Sequence, residues 1–175
     1  SDRKVLGSSM PTWYGGWNNT VSYKNFDLNV FFRFSGGNKI MNASRQSALF
    51  NMDFSNNGTE ILGRWVSPEQ PGDGMTPKIG YGDASSLFND GYTDSHFVES
   101  GNYLKLSTLA LGYTLPKAVV SKLNMTKIRF YVQGQNLLTI TGYSGLDPET
   151  NSRLGVDWNG MPQQRSFTFG ANITF

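Results

Sequence analysis

The residues that could do chemistry are few and scattered. His96 is the only histidine and stands in "TDSHFVES" among serines and acids. A serine hydrolase needs its nucleophile on a sharp turn beside a base, and no such elbow is spelled here, nor any partner at metal-ligand spacing. A lone loop histidine reads as solvent-exposed and passive, so no enzyme activity is expected. Asp83, Asn89, Asp90 and Asp94 offer oxygen ligands to calcium, but their spacing does not match a helix-loop-helix calcium loop; we read a solvated loop and expect no resident metal or other cofactor. Trp65 and Trp158 offer more. A planar indole in an exposed loop presents a face to a sugar ring, and "DWNG" sets polar groups beside one of them. Trp65, Asp157, Trp158 and Asn159 are therefore the candidate substrate-binding residues, with packing of one loop against another as the competing reading.

Composition narrows the field. The chain has 175 residues, is 38% hydrophobic, and draws much of that from 12 Phe, 8 Tyr and 4 Trp. A net charge of +2 with no cluster of Lys and Arg along the chain argues against nucleic acid. With no cysteine there is neither a disulfide framework nor a thiolate metal site. Five glycosylation sequons begin at Asn18, Asn42, Asn57, Asn124 and Asn172; two fall in expected membrane-depth strands, and we read all five as accidents of an Asn-rich chain. No apolar run approaches the roughly 18 residues of a membrane helix, which does not exclude a membrane crossed by short alternating strands. The opening "SDRKVLGSSM" lacks an initiator Met and a signal-peptide core, and is expected to be a processed or truncated start.

The elements that would position these residues are strands. Residues 13–23, 26–35, 102–115, 127–139 and 166–175 alternate apolar and polar side chains. The second is the clearest, with Phe26, Leu28, Val30, Phe32 and Phe34 on one side, and Lys24-Asn25 joins it to the first as a tight hairpin. In the third, apolar parity switches at Ser107, from Leu109 and Leu111 to Leu104 and Leu106, which predicts a bulge or change of face. The stretch 36–101 loses the period of two, apart from a helix-compatible patch at Lys39 to Phe50, and 141–165 is a second loop. "PKAVVSKLN" predicts a short helix after Pro116. Short and long connections thus alternate, as in transmembrane barrels with short periplasmic turns and long extracellular loops. That arrangement puts Tyr23, Phe26, Tyr113 and Phe175 at one depth, at the short-turn end, like an interfacial aromatic belt. The rival is a soluble secreted β-sandwich that binds glycans through loop tryptophans.

"YKNFDLNVFFRFSGG", "RWVSPEQPGDG", "NYLKLSTLALGYTLPKAV", "FYVQGQNLLTITGYSGLDPE" and the terminal "RSFTFGANITF" resemble, in this order, the carboxy-terminal part of the SusC/RagA family of TonB-dependent outer-membrane transporters. "NLLTITGYSGLDPE" is the most specific piece. The resemblance implies an all-β antiparallel transmembrane barrel of about 22 strands with a plugged lumen, of which these residues supply the last five. Plug and TonB-contacting segment have no counterpart in this chain, so contact with the TonB complex is expected through other parts. A bacterial outer-membrane location is implied, with the lipid bilayer as neighbour and a SusD-like surface lipoprotein as lid over the mouth. The import of an oligosaccharide, or else a peptide, follows. Arg33, Arg129, Tyr131, Gln133 and Gln135 then face the lumen, lining the route or touching the plug. Phe167, Phe169, Ala171, Ile173 and Phe175 face lipid and resemble the terminal signal by which outer-membrane proteins are recognised for assembly.

Overall fold

A computed structural model describes residues 4–50, 56–78, 95–149 and 154–175, with the backbone alone for 48–50. In chain order the strands are β1 (Trp13–Tyr23), β2 (Phe26–Gly36), β3 (Lys39–Asn42), β4 (Val98–Ser100), β5 (Tyr103–Thr114), β6 (Lys127–Thr141), β7 (Val156–Asp157) and β8 (Ser166–Thr174). Among the described residues two short α-helices, α1 (Ala43–Phe50) and α2 (Lys117–Val120), interrupt them. Five strands make one antiparallel sheet in the order β1-β2-β5-β6-β8; β4-β3-β7 form a second, smaller one. The main strands fall where alternation puts them, although β6 runs on to Thr141 and Phe175 lies just past the end of β8.

Pairing fixes two faces on the main sheet. One row reads Trp17, Phe32, Leu106, Leu138 across four strands, and another Tyr23, Phe26, Tyr113, Phe130. Trp17 stacks on Phe32 with ring centroids 5.8 Å apart, and Phe26 meets Tyr113 at 4.7 Å. This apolar face is open: Trp17 is 57% exposed, Phe26 51%, Phe130 50% and Phe169 78%. The expected belt is present but differently staffed. Phe130 joins Tyr23, Phe26 and Tyr113, while Ala171 takes that row on β8 and Phe175 lies farther along. The small sheet does not cover the apolar face, so the described residues do not form the layered core of a sandwich.

The other face is polar and partly covered. Asp27 on β2 and Arg129 on β6 meet across β5 in a two-pronged ion pair, Nε to Oδ1 at 2.9 Å and Nη2 to Oδ2 at 2.5 Å. They reach each other only because Gly112 stands between them; a Cβ there would collide with both groups. Tyr131 lies in the same way over Gly170 of β8, shielding a residue with no side chain of its own. The parity switch is a bulge. Ladder partners jump from Phe31–Thr108 to Phe32–Leu106, leaving Ser107 extra, and two β6 residues, Asn136 and Leu137, oppose it. Asn136 takes the left-handed φ of 53° that such an irregularity needs.

The described parts of the loops hold more secondary structure than their composition predicts. Residues 39–42 are strand, not the start of a helix: Ile40 is fully buried, and β3 pairs antiparallel with β4 and parallel with β7. Partners distant in sequence decide that segment, and a local pattern cannot show them. The helix begins at Ala43 because the Asn42 side chain accepts the Arg45 backbone N–H at 2.9 Å, an N-cap. At the opposite end of the sheet, α2 follows Pro116 and passes through a 3-10 turn to Asn124, whose φ of 53° ends the helical run.

Candidate functional site

Two polar clusters organise the loop end of the molecule. The first lies on the polar face of the main sheet. Lys105, on β5 between two outward leucines, is 1% exposed and meets Asp147 at 3.2 Å as well as Glu149. Glu149 also accepts the Tyr103 hydroxyl at 2.9 Å and Arg33 Nη2 at 3.1 Å, while Arg33 Nε donates to the Ser107 hydroxyl at 2.9 Å. The bulge therefore presents a partner to Arg33, and the "LDPE" run is stapled onto the sheet by two carboxylates. Asp147 further accepts the backbone N–H groups of Glu149 and Gln163, at 3.0 and 3.1 Å, so it also shapes both ends of its loop.

The second cluster knits the two long loops together. Glu99 on β4 accepts the N–H and hydroxyl of Ser144, both at 2.7 Å, and Asn42 donates to Ser144 at 3.1 Å. Arg45 forms a fork on Glu60, with Nε to Oε1 at 2.9 Å and Nη2 to Oε2 at 2.9 Å, and touches Glu99 at 3.3 Å. The Arg45 hydrogen bonds hold the Glu60 carboxyl below its ordinary range. Tyr143 donates to Asp157 at 2.6 Å; burial, then that bond, raise the phenol well above its usual value, so it stays protonated.

These residues frame an open groove of about 620 Å³, walled by Asn42, Arg45, Glu60, Ser144, Leu146 and Trp158 among others. Trp158 is 74% exposed and offers its indole face there. Asn159, at φ 62°, makes the turn that presents it. Asp157 also borders the groove, but it is 3% exposed and its oxygens are occupied by Tyr143 and by the Gly160 N–H, at 3.2 Å. It positions the turn and is not open to a ligand. Trp65 is not among the groove's lining; its backbone N–H donates to the Thr76 carbonyl at 2.9 Å, and Lys78 Nζ sits 5.8 Å from its ring centroid. Three of the four candidate residues are thus gathered and one is apart.

His96 is partly buried, against the expectation of exposure, edge-on to Phe97 at 4.9 Å with its Nε2 3.4 Å from an Arg45 nitrogen. Arg33, Arg129, Tyr131, Gln133 and Gln135 share the polar face. Two of these cations are held by carboxylates: Arg33 by Glu149, Arg129 by Asp27. Phe167, Phe169, Ala171 and Ile173 share the apolar face, and Phe175 continues their parity. Asp83, Asn89, Asp90 and Asp94 lie outside the described residues. Among the described residues no group of three or more His, Asp or Glu is placed to hold a metal ion, and no helix is long and apolar enough to cross a membrane. The residues that sequence reasoning missed, Lys105, Asp147, Glu149, Arg45 and Glu99, act in pairs distant along the chain. One signal was available, a lysine inside an apolar strand, "LKLS", which needs a buried partner.

One exposed apolar face, one polar face closed by loops, short turns at one end and long loops at the other define a segment of antiparallel sheet such as barrel transporters contain. No family model matches the chain. Along its whole length it is nevertheless related to TonB-dependent receptors of the SusC/RagA kind. TonB-dependent receptor P3 of Formosa agariphila is 33% identical over all of this chain and 17% of its own length. TonB-dependent receptor SusC of Bacteroides thetaiotaomicron is 26% identical over 91% of this chain and 15% of its own. The RagAB peptide importer in its open-open state superposes with a TM-score of 0.80 at 26% identity, covering 98% of this chain and 18% of the solved one. The chain thus spans less than a fifth of the receptors it matches.

Proposed function

We propose that the chain is the carboxy-terminal barrel segment of a TonB-dependent importer in a bacterial outer membrane. The apolar face meets lipid, the polar face meets lumen and plug, and the edges of β1 and β8 pair with strands of the longer protein. What supports this is the pair of opposed faces: an exposed aromatic and aliphatic surface of this extent is stable against hydrocarbon and not against water. Energy coupling through the TonB complex belongs to other parts of that protein. Substrate is captured under a SusD-like lipoprotein lid, for which the long loop 36–101 is the contact.

The substrate class we favour is an oligosaccharide, because Trp158 offers an open ring face beside the polar groove. A peptide is the second reading, favoured by likeness to the RagAB peptide importer. The test uses the full-length receptor extracted with its lid. Trp158→Ala weakens oligosaccharide binding roughly tenfold, the loss of about 1.4 kcal/mol, while the lipoprotein still co-purifies. Undiminished binding removes Trp158 from the site, and a loss confined to peptides selects the second reading. Recovery of the receptor as a soluble species without detergent defeats the barrel.

A further inference from the structure

The lysines are scattered in sequence, yet the fold gathers four of them at the short-turn end: Lys127 opens β6 on the polar face with Arg129, and the other three lie in the turns themselves. Lys24 sits in the β1–β2 turn, and Lys117 and Lys122 in the β5–β6 connection. The two connections are tied side by side: Thr114 N–H donates to the Asn25 carbonyl at 2.8 Å, and the Asn25 side-chain amide to the Thr114 carbonyl at 2.7 Å. All three turn lysines are exposed, and none appears in an ion pair among the described residues. Lys24 Nζ lies 5.3 Å from the centroid of Tyr23, a member of the apolar face, so this cation stands at the margin of that face. Val119 and Leu123, between and beside the other two, are 45% and 54% exposed.

The other described carboxylates are elsewhere. Residues 110–132 contain no Asp or Glu, and Asp27, the only acid near these turns among the described residues, is held by Arg129. Glu60, Glu69, Asp73, Glu99, Asp147, Glu149 and Asp157 belong to the long-loop end. A row of aromatics, then exposed aliphatics, then uncompensated ammonium groups is the order of chemistries met when leaving hydrocarbon for a phosphate layer. We infer that Lys24, Lys117 and Lys122 form a collar that seats the phosphates of anionic phospholipid at the short-turn interface. This rests on the membrane reading above. Each lysine near an anionic surface multiplies attraction about fivefold, an effect that salt screens.

The experiment reconstitutes the full-length receptor in vesicles of phosphatidylcholine with a minor share of phosphatidylglycerol. It is then extracted into polymer discs, and the co-extracted lipids are compared with the bulk mixture. The native receptor enriches phosphatidylglycerol about fivefold or more, and the enrichment falls in high salt. K24Q/K117Q/K122Q returns the ratio to bulk, whereas the matching arginine variant and Lys78→Gln, at the loop end, keep the native ratio. Persisting enrichment in the glutamine variant overturns the collar, as does native receptor with none. Receptor that does not insert into these vesicles overturns the membrane reading instead.

Discussion

At the scale of single residues, Lys105 holds the loop to the sheet. Its ammonium is removed from water and answered by Asp147 and Glu149. Removing one partner of a buried charge cluster costs about 3–5 kcal/mol, because the others are left uncompensated. Lys105→Met is therefore expected to free residues 143–149, seen as loss of amide hydrogen-exchange protection there. Adding Asp147→Asn to it restores part of that protection, since Glu149 keeps Arg33; a double variant no better than the single one would show that the unpaired charge is not what frees the loop. Glu60 supplies a pH dependence. Its folded value is depressed by Arg45, so its contribution is present above the unfolded value of about 4.3 and is lost as pH falls through the lower folded value. Cleavage by pepsin within Thr59–Gly63 should rise on acidification in the native protein and vary less in Glu60→Gln, already loosened at every pH.

At the scale of elements, the five long strands were legible because one face of each is largely apolar, Asn19 being the interruption in the first, and a period of two survives loss of context. Even the irregularity at Ser107 was written as a change of parity. The loop strands were not legible. β3 has four residues and β7 two, too few for a period, and they exist because each pairs with the other long loop. The candidate site divided on the same line: Trp158 and Asn159 stand together because one turn makes them neighbours, whereas Lys105 and Asp147 meet only after folding. Deleting Ser107 tests the bulge. Losing the extra residue joins Leu106 to Thr108 in regular alternation and keeps every apolar side chain on its face, while Asn136 and Leu137 of β6 lose the residue opposite them. Ser107→Ala keeps the residue and loses one hydrogen bond to Arg33. The deletion and Ser107→Ala should both retain the heat-modifiable folded band in membrane fractions; loss of the band in the deletion alone would show that the bulge itself is needed for folding.

At the scale of the whole molecule, the two faces make unlike demands on adjacent residues. Phe169 and Thr168 are neighbours on β8, and alternation places them on opposite faces. Arginine at Phe169 is expected to cost about 2–4 kcal/mol of membrane stability, and at Thr168 little. Urea unfolding of the full-length receptor from lipid measures both, and similar losses would contradict the assignment of faces. The parallel pairing of β3 with β7 has a consequence of another kind. Because Met41 and Asn42 of one loop lie in register with Val156 and Asp157 of the other, neither loop is a self-contained module. In recombining receptors of this kind, the two loops form one cassette: a chimera that transplants only one leaves an orphaned strand edge, and one that transplants both carries the groove intact.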